Sequence, residues 1–342
     1  MDQKHWRYMR PLAVALALAA LVTFAPQARA DEIVDDFEVP VIVEREEVVA
    51  VEECPECPEG PNLGRVSFNV GMDIPTRYYF RGILQEDEGF IGQPYAEVNF
   101  NLLETDSMNV TLIGGTWFSL HSMHTKEPGG SRARDAAKSQ GISQRTSNPN
   151  FGDPESFYEF DAYGGAAFGW EDLELSTIFT TYLSPSGAFS TVQDIAFGLA
   201  YDDSSLLGDF ALNPSMTIYR ETSGTAFGTR KGTNLTLAGG PEFGLTGGDN
   251  PITLTIPLEL GLNLDNYYET KDASGNTKNP TFGYFQTGLD FGFPLTFMPK
   301  EYGSWLFNAG WRFISLGDTL ADANRKGDDY SFFGIFGLSM TY

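Results

Sequence analysis

Apolar and polar side chains alternate along nearly the whole chain beyond residue 64. The stretch 252–263 shows the rule. Ile252, Leu254, Ile256, Leu258, Leu260 and Leu262 are separated by Thr253, Thr255, Pro257, Glu259, Gly261 and Asn263. A period of two puts successive side chains on opposite sides of an extended chain, so it predicts a β-strand with one apolar and one polar face. Eleven further stretches repeat it, predicting twelve strands over 65–81, 93–103, 109–120, 157–168, 173–183, 192–201, 210–219, 234–245, 252–263, 283–293, 305–316 and 330–342. In the first, the apolar face is Val66, Phe68, Val70, Met72, Ile74, Tyr78 and Phe80. In the last, Phe332, Phe336, Leu338, Met340 and Tyr342 share one face, with Phe333, Ile335, Gly337, Ser339 and Thr341 on the other.

Most of these stretches hold 10 to 13 residues. Strands of soluble proteins centre on about 5 to 6 residues, whereas a tilted strand crossing a bilayer needs about 9 to 11. The connections also tend to alternate in length. Short links join strands 2–3, 4–5, 6–7 and 8–9, and longer ones follow strands 1, 3, 7, 9 and 11, the longest over 122–155. The short link after strand 5 and the longer one after strand 10 depart from the rule. Short turns at one end and long loops at the other are the layout of an outer-membrane barrel. A large secreted β-sandwich would share the period but not the strand length or the loop asymmetry. Tyr78, Trp117, Tyr158, Trp305 and Tyr342 lie near predicted strand ends, where aromatic girdles form. The expected fold is all-β, a transmembrane antiparallel up-and-down β-barrel of about 12 strands over 64–342. Pro214, Pro241 and Pro257 interrupt three stretches and leave a count of ten or fourteen open.

The N-terminus adds a compartment. Lys4, Arg7 and Arg10 precede an uncharged apolar run over 12–25, and Ala28 and Ala30 supply a small-residue cleavage pattern. This predicts a signal peptide over 1–30, its apolar run too short for a membrane-spanning helix. Cleavage there removes four of the 22 basic residues and one of the 46 acids, leaving a net charge of -27. So acidic a chain is unsuited to nucleic acid, whose phosphates require clustered Lys and Arg. Residues 31–63 read as an acidic tether on the periplasmic side, with twelve acids and one Arg up to Gly60. The tether carries the only cysteines, Cys54 and Cys57, as a Cys-x-x-Cys. A disulfide in an oxidising compartment, no specific role, and metal or redox chemistry all remain open for them.

If the apolar faces meet lipid, the polar faces line the lumen. They carry Asp73, Glu97, Glu159, Asp161, Glu174, Asp194, Glu242, Glu259 and Asp290, against Arg77, Arg81 and Arg312. Charge on the lipid face of a barrel costs up to about 2–4 kcal/mol per residue at mid-membrane, so the alternation sends these groups inward. Two readings follow: a narrow water-filled pore whose acids favour cations, or a lumen closed by arginine–carboxylate pairs. The longest loop is the most basic stretch, with Lys126, Arg132, Arg134, Lys138 and Arg145. It could narrow the entrance, contact anionic lipopolysaccharide, or simply be solvated.

Catalysis has little to draw on. The only histidines after residue 30 are His121 and His124, near Ser119 and Ser122, and no Gly-x-Ser-x-Gly elbow is present. The chain is read as non-enzymatic, without cofactor or metal.

The end of the first predicted strand carries a resemblance. Tyr78, Phe80, Arg81, Gly82 and Gln85 stand in a Tyr-x-Phe-Arg-Gly-x-Ser-Gln pattern, with Leu84 where Ser is usual. Over about thirty residues the chain resembles the TorF-like family of outer-membrane porins. The resemblance implies a pore without naming its solute. Resemblance to outer-membrane barrels further implies that Phe336, Leu338, Met340 and Tyr342 form an assembly signal, with Tyr342 where Phe is commoner. The expected role is passive diffusion of small hydrophilic solutes across the bacterial outer membrane. The alternative is a structural or adhesive barrel that works through its loops. Expected partners are outer-membrane lipid, lipopolysaccharide, the barrel-assembly machinery and small solutes, with a homo-oligomer left open.

Overall fold

The structure, a computed structural model, describes residues 65–122, 156–271, 275–324 and 328–342. The expected signal peptide, the tether with Cys54 and Cys57, His124 and the basic residues of the longest loop lie outside the described residues.

In chain order the strands are β1 (Val66–Pro75), β2 (Tyr78–Phe80), β3 (Ile83–Glu86), β4 (Ile91–Glu104), β5 (Met108–His121), β6 (Phe157–Trp170), β7 (Leu173–Leu183) and β8 (Val192–Tyr201). A short helix α1 (Ser204–Leu207) leads to β9 (Ser215–Ser223), β10 (Thr233–Gly239), β11 (Glu242–Gly244), β12 (Thr253–Thr255) and β13 (Leu258–Asp265). Then come β14 (Thr270–Lys271), β15 (Thr277–Lys278), β16 (Phe282–Pro294), β17 (Ser304–Leu316), helix α2 (Asp318–Ala323) and β18 (Tyr330–Thr341).

Fourteen of these segments form one antiparallel sheet, closed on itself by β1 pairing with β18. They make twelve strands, because β10 with β11 and β12 with β13 are each one strand broken by a proline. Pro241 and Pro257 cannot donate to a ladder, yet the register continues across the break. Gly239 pairs with Leu258 and Glu242 with Thr255, and between them the Ile256 amide still donates to the Pro241 carbonyl at 3.0 Å. Strand 7 begins at Ser215, after Pro214. Residues 210–213, expected within it, belong to the preceding turn.

The outer wall is apolar. Phe68, Phe100, Leu112, Leu175, Phe179, Phe197, Phe332, Phe336 and Leu338 are all exposed on it. So large an apolar band is what a membrane-spanning barrel presents to lipid. Among the described residues no helix is long and apolar enough to cross a membrane, so the strands are the crossing elements. Both termini of the described barrel lie at the short-turn end, which in outer-membrane barrels faces the periplasm. It is called the inner end below. Glycines on the lumenal face give tyrosines of neighbouring strands room to lie flat: a Cβ on Gly71, Gly115 or Gly261 would collide with Tyr95, Tyr163 or Tyr284.

Three side-chain placements differ from the sequence reading. First, β1 ends at Pro75, so Tyr78, Phe80 and Arg81 are not on the barrel wall. They belong to the hairpin β2–β3, which folds into the barrel. Second, Tyr158 is inside, not on the lipid face. Leu120 pairs with Phe157 and Ser119 with Glu159, so Tyr158 is the extra residue of a bulge and turns inward to stack on His121. Third, Trp117 pairs with Asp161 on the lumenal face, its ring 5.4 Å from that of Tyr78 and tilted to it. Of the expected girdle aromatics, Trp305 and Tyr342 remain outside, at the inner end.

Candidate functional site

The hairpin between β1 and β4 sets the character of the lumen. Its turn residues, Arg81 and Gly82, have φ of 46° and 79°. Positive φ at both positions makes a two-residue turn whose twist matches the flanking strands. Gly82 is required twice over, since a Cβ there would also lie 2.7 Å from the Tyr284 ring and 2.8 Å from Leu320. Phe80 pairs with Ile83 and Tyr79 with Leu84. Ile83 packs among Tyr267, Tyr268, Tyr284, Ile314, Leu316 and Leu320, and Tyr78 among Ile91, Tyr158 and Ala188. Burying apolar side chains such as Ile83 and Leu84 contributes about 1.5–3 kcal/mol each. The hairpin is therefore part of the core, anchored to wall strands on opposite sides of the lumen.

Arg81 is its far anchor. Its guanidinium lies 2.7 Å from Asp194 on β8 and donates to the Tyr182 hydroxyl at 3.0 Å and the Tyr267 hydroxyl at 3.1 Å. It sits 3.6 Å above the Tyr219 ring and 4.7 Å from that of Phe80. The Tyr268 hydroxyl donates to the Arg81 carbonyl at 2.9 Å. A guanidinium stacked on aromatic faces and paired with a carboxylate is the arrangement its flat, weakly hydrated charge favours.

Other bonds fasten the hairpin stem. The Tyr78 hydroxyl donates to Glu159 at 2.9 Å, the Tyr158 hydroxyl donates to Gln85, and Arg77 donates to the Ser331 hydroxyl at 2.5 Å. Above the mouth, Thr229 and Arg230 donate to Glu269, tying two loops together. These hydrogen bonds, Arg230 first, hold the Glu269 carboxyl down to about 2. The tie is thus fully present above the ordinary carboxyl range and is lost only as pH falls through about 2.

Ser119 and His121 meet in this layer, with 2.9 Å between Oγ and Nε2, and Glu86 lies 3.9 Å from His121 Nδ1. The order is that of a nucleophile, base and orienting acid. The trio is closed off as it stands: Ser119 and Glu86 are 0% exposed and His121 1%. Glu86 belongs to the hairpin, so withdrawing the hairpin to admit a substrate would dismantle the triad. Of its contacts, that between Glu86 and His121 joins the hairpin to the wall.

Towards the inner end the lumen changes. Arg312 makes two bonds to Asp290, and Asp73 lies on the adjoining face of β1 beside Gly337. Glu97 accepts from Tyr163 at 3.0 Å and from Asn99 at 3.1 Å, and Glu259 accepts from Tyr284. Glu174 is also lumenal, paired across the ladder with Gly169 and Ala200. These groups are half-buried, whereas Glu159, Asp161 and Asp194, nearer the mouth, are buried. Glu242 is exposed at the inner rim and accepts from Thr255 at 2.8 Å. Arg77 stands at the outer mouth and Arg81 crosses the lumen, so neither is a wall residue as the sequence suggested. Phe336, Leu338 and Met340 face outward opposite Ile74, Met72 and Val70, and Tyr342 exchanges backbone bonds of 2.8 and 2.9 Å with Phe68.

The sequence reading missed Tyr182, Tyr219, Tyr267 and Gln85 as members of the site. One signal was available: Arg-Gly between Tyr-Tyr-Phe and Ile-Leu-Gln is a turn pair flanked by strand formers.

No family model and no curated protein matches the chain. Among solved structures it is similar to an outer-membrane channel from Pseudomonas putida F1, at 10% identity and a TM-score of 0.42, covering 81% of this chain and 94% of that one. It is also similar to the NanC porin (8% identity, TM-score 0.38, 79% and 98% covered). A third is LpxR from Salmonella typhimurium (8% identity, TM-score 0.36, 80% and 99% covered). Likeness at this level says nothing of function. The barrel stands on its own ladders.

Proposed function

We propose that this chain is an outer-membrane channel for small hydrophilic solutes whose resting state is closed by the hairpin β2–β3. One observation carries the reading. The lumenal acids beside the hairpin, Glu159, Asp161 and Asp194, are buried, while Asp73, Glu97, Glu174, Glu259 and Asp290 towards the inner end are half-buried, so the closure is read as local and as belonging to one removable segment. With the hairpin displaced, the path would be lined by Asp73, Glu97, Glu174, Glu259 and Asp290 against Arg312, a balance that favours cations.

Planar-bilayer recording tests the proposal. Wild-type protein should show rare, brief openings. A variant with 78–86 replaced by a short Gly-Ser turn should conduct steadily, with a reversal potential in a KCl gradient that reports cation preference. No channel steps from that variant, in a preparation whose gel mobility still shifts on heating as a folded barrel does, would sink the channel. The paired Arg81–Asp194 and Arg312–Asp290 favour a second reading, a permanently plugged barrel whose loops do the work, and that outcome would support it.

A further inference from the structure

The channel reading leaves open what would displace the hairpin, and the seat of Arg81 suggests the chemistry. Tyr182, Tyr219 and Asp194 belong to the wall and Tyr267 to an outer loop, so none of the four leaves with the hairpin. Together they offer a stacking face, two hydroxyls and a carboxylate, all engaged by the guanidinium. Further acids surround the seat. Glu159, Asp161 and Glu221 are buried within electrostatic reach of Arg81, in addition to Asp194. Glu159 accepts from Tyr78 and is hydrogen-bonded to the Asp161 carboxyl, and Glu221 accepts from two backbone amides; the buried Asp161 Oδ1 itself has no hydrogen-bond partner among the described residues. Removing Arg81 would leave an aromatic cage around the buried Asp194 carboxylate, whose charge another cation or a proton must then offset.

We propose that this cage is a binding site for solutes bearing a guanidinium or alkylammonium group. Arg81 occupies it as a tethered surrogate, and a cationic solute competes for it and favours the open channel. The proposal rests on the channel reading for its consequence, but the cage is testable without conduction. Aromatic faces select cations that shed water readily, so guanidinium and methylammonium should bind where sodium does not.

The experiment is chemical rescue. Full-length Arg81→Ala protein is refolded in detergent and its heat-modification midpoint recorded against millimolar guanidinium chloride, methylammonium chloride and sodium chloride. Guanidinium should raise the midpoint saturably, methylammonium less, and sodium at equal ionic strength not at all. Asp194→Asn or Tyr219→Ala placed on Arg81→Ala should abolish the response. If Arg81→Ala does not fold, Arg81→Gln, which keeps part of the stem without the charge, takes its place. Equal responses to guanidinium and sodium, or a response that survives both second substitutions, would overturn the cage. In bilayers, arginine amide should lengthen wild-type openings. Rescue without conductance would keep the site and discard the channel, and conductance without rescue would do the reverse.

Discussion

At the scale of single residues, Arg81 and Gly82 show how two positions seat a hairpin inside the barrel. Arg81 contributes through partners spread over β7, β8 and β9 and the loop carrying Tyr267, so its loss strands a buried carboxylate, typically at 3–5 kcal/mol. Gly82 contributes by what it lacks. Valine there would have to hold φ near 79°, which costs a side-chain-bearing residue about 1–2 kcal/mol, and would press on Tyr284 and Leu320. Gly82→Val should therefore unseat the hairpin without opening the barrel wall. Trypsin is the measurement: Arg81 should resist cleavage in the wild type and be cut in the variant, whose heat-modifiable band persists. Resistance in both would show that the turn tolerates a side chain.

At the scale of elements, the wall was legible in the sequence and the plug was not. Strands such as 252–263 announce themselves because every second residue must meet lipid, and nothing local competes with that demand. The hairpin defeats the same logic. Tyr78 and Phe80 alternate with Arg77 and Arg81 in phase with β1, but their apolar environment is the barrel interior. Burial inside a lumen is supplied by residues over a hundred positions away, as the Arg81–Asp194 and Tyr268–Arg81 bonds show. Tyr158 was misplaced for a related reason, since one bulge reverses the facing that alternation assigns. The last strand yields a firm expectation. Of the seven positions at which β1 pairs with β18, Asn69 to Asp73 face Thr341 to Gly337. Deleting 337–342 removes all five of those and leaves only Ile74 and Pro75 paired. Such a chain should fail to reach a heat-modifiable, membrane-inserted form; insertion at wild-type yield would show that the seam closes without them.

At the scale of the whole molecule, twelve strands leave a bore between the filled and the open classes of barrel, and this chain fills the outer part with a piece of itself. The plug is encoded directly after the first strand, while its anchors lie 113 residues on at Asp194, 186 at Tyr267 and, for Arg77, 254 at Ser331. Synthesis order and docking order are thus opposed: the stopper is made first and has no neck to fit until the last strand arrives. Contacts that remote are expected to form late, so the barrel should seal in two stages, wall and then throat. Refolding into dye-loaded vesicles should release dye briefly and then stop. With Arg81→Ala the release should continue, because the finished wall would still lack a fitted stopper.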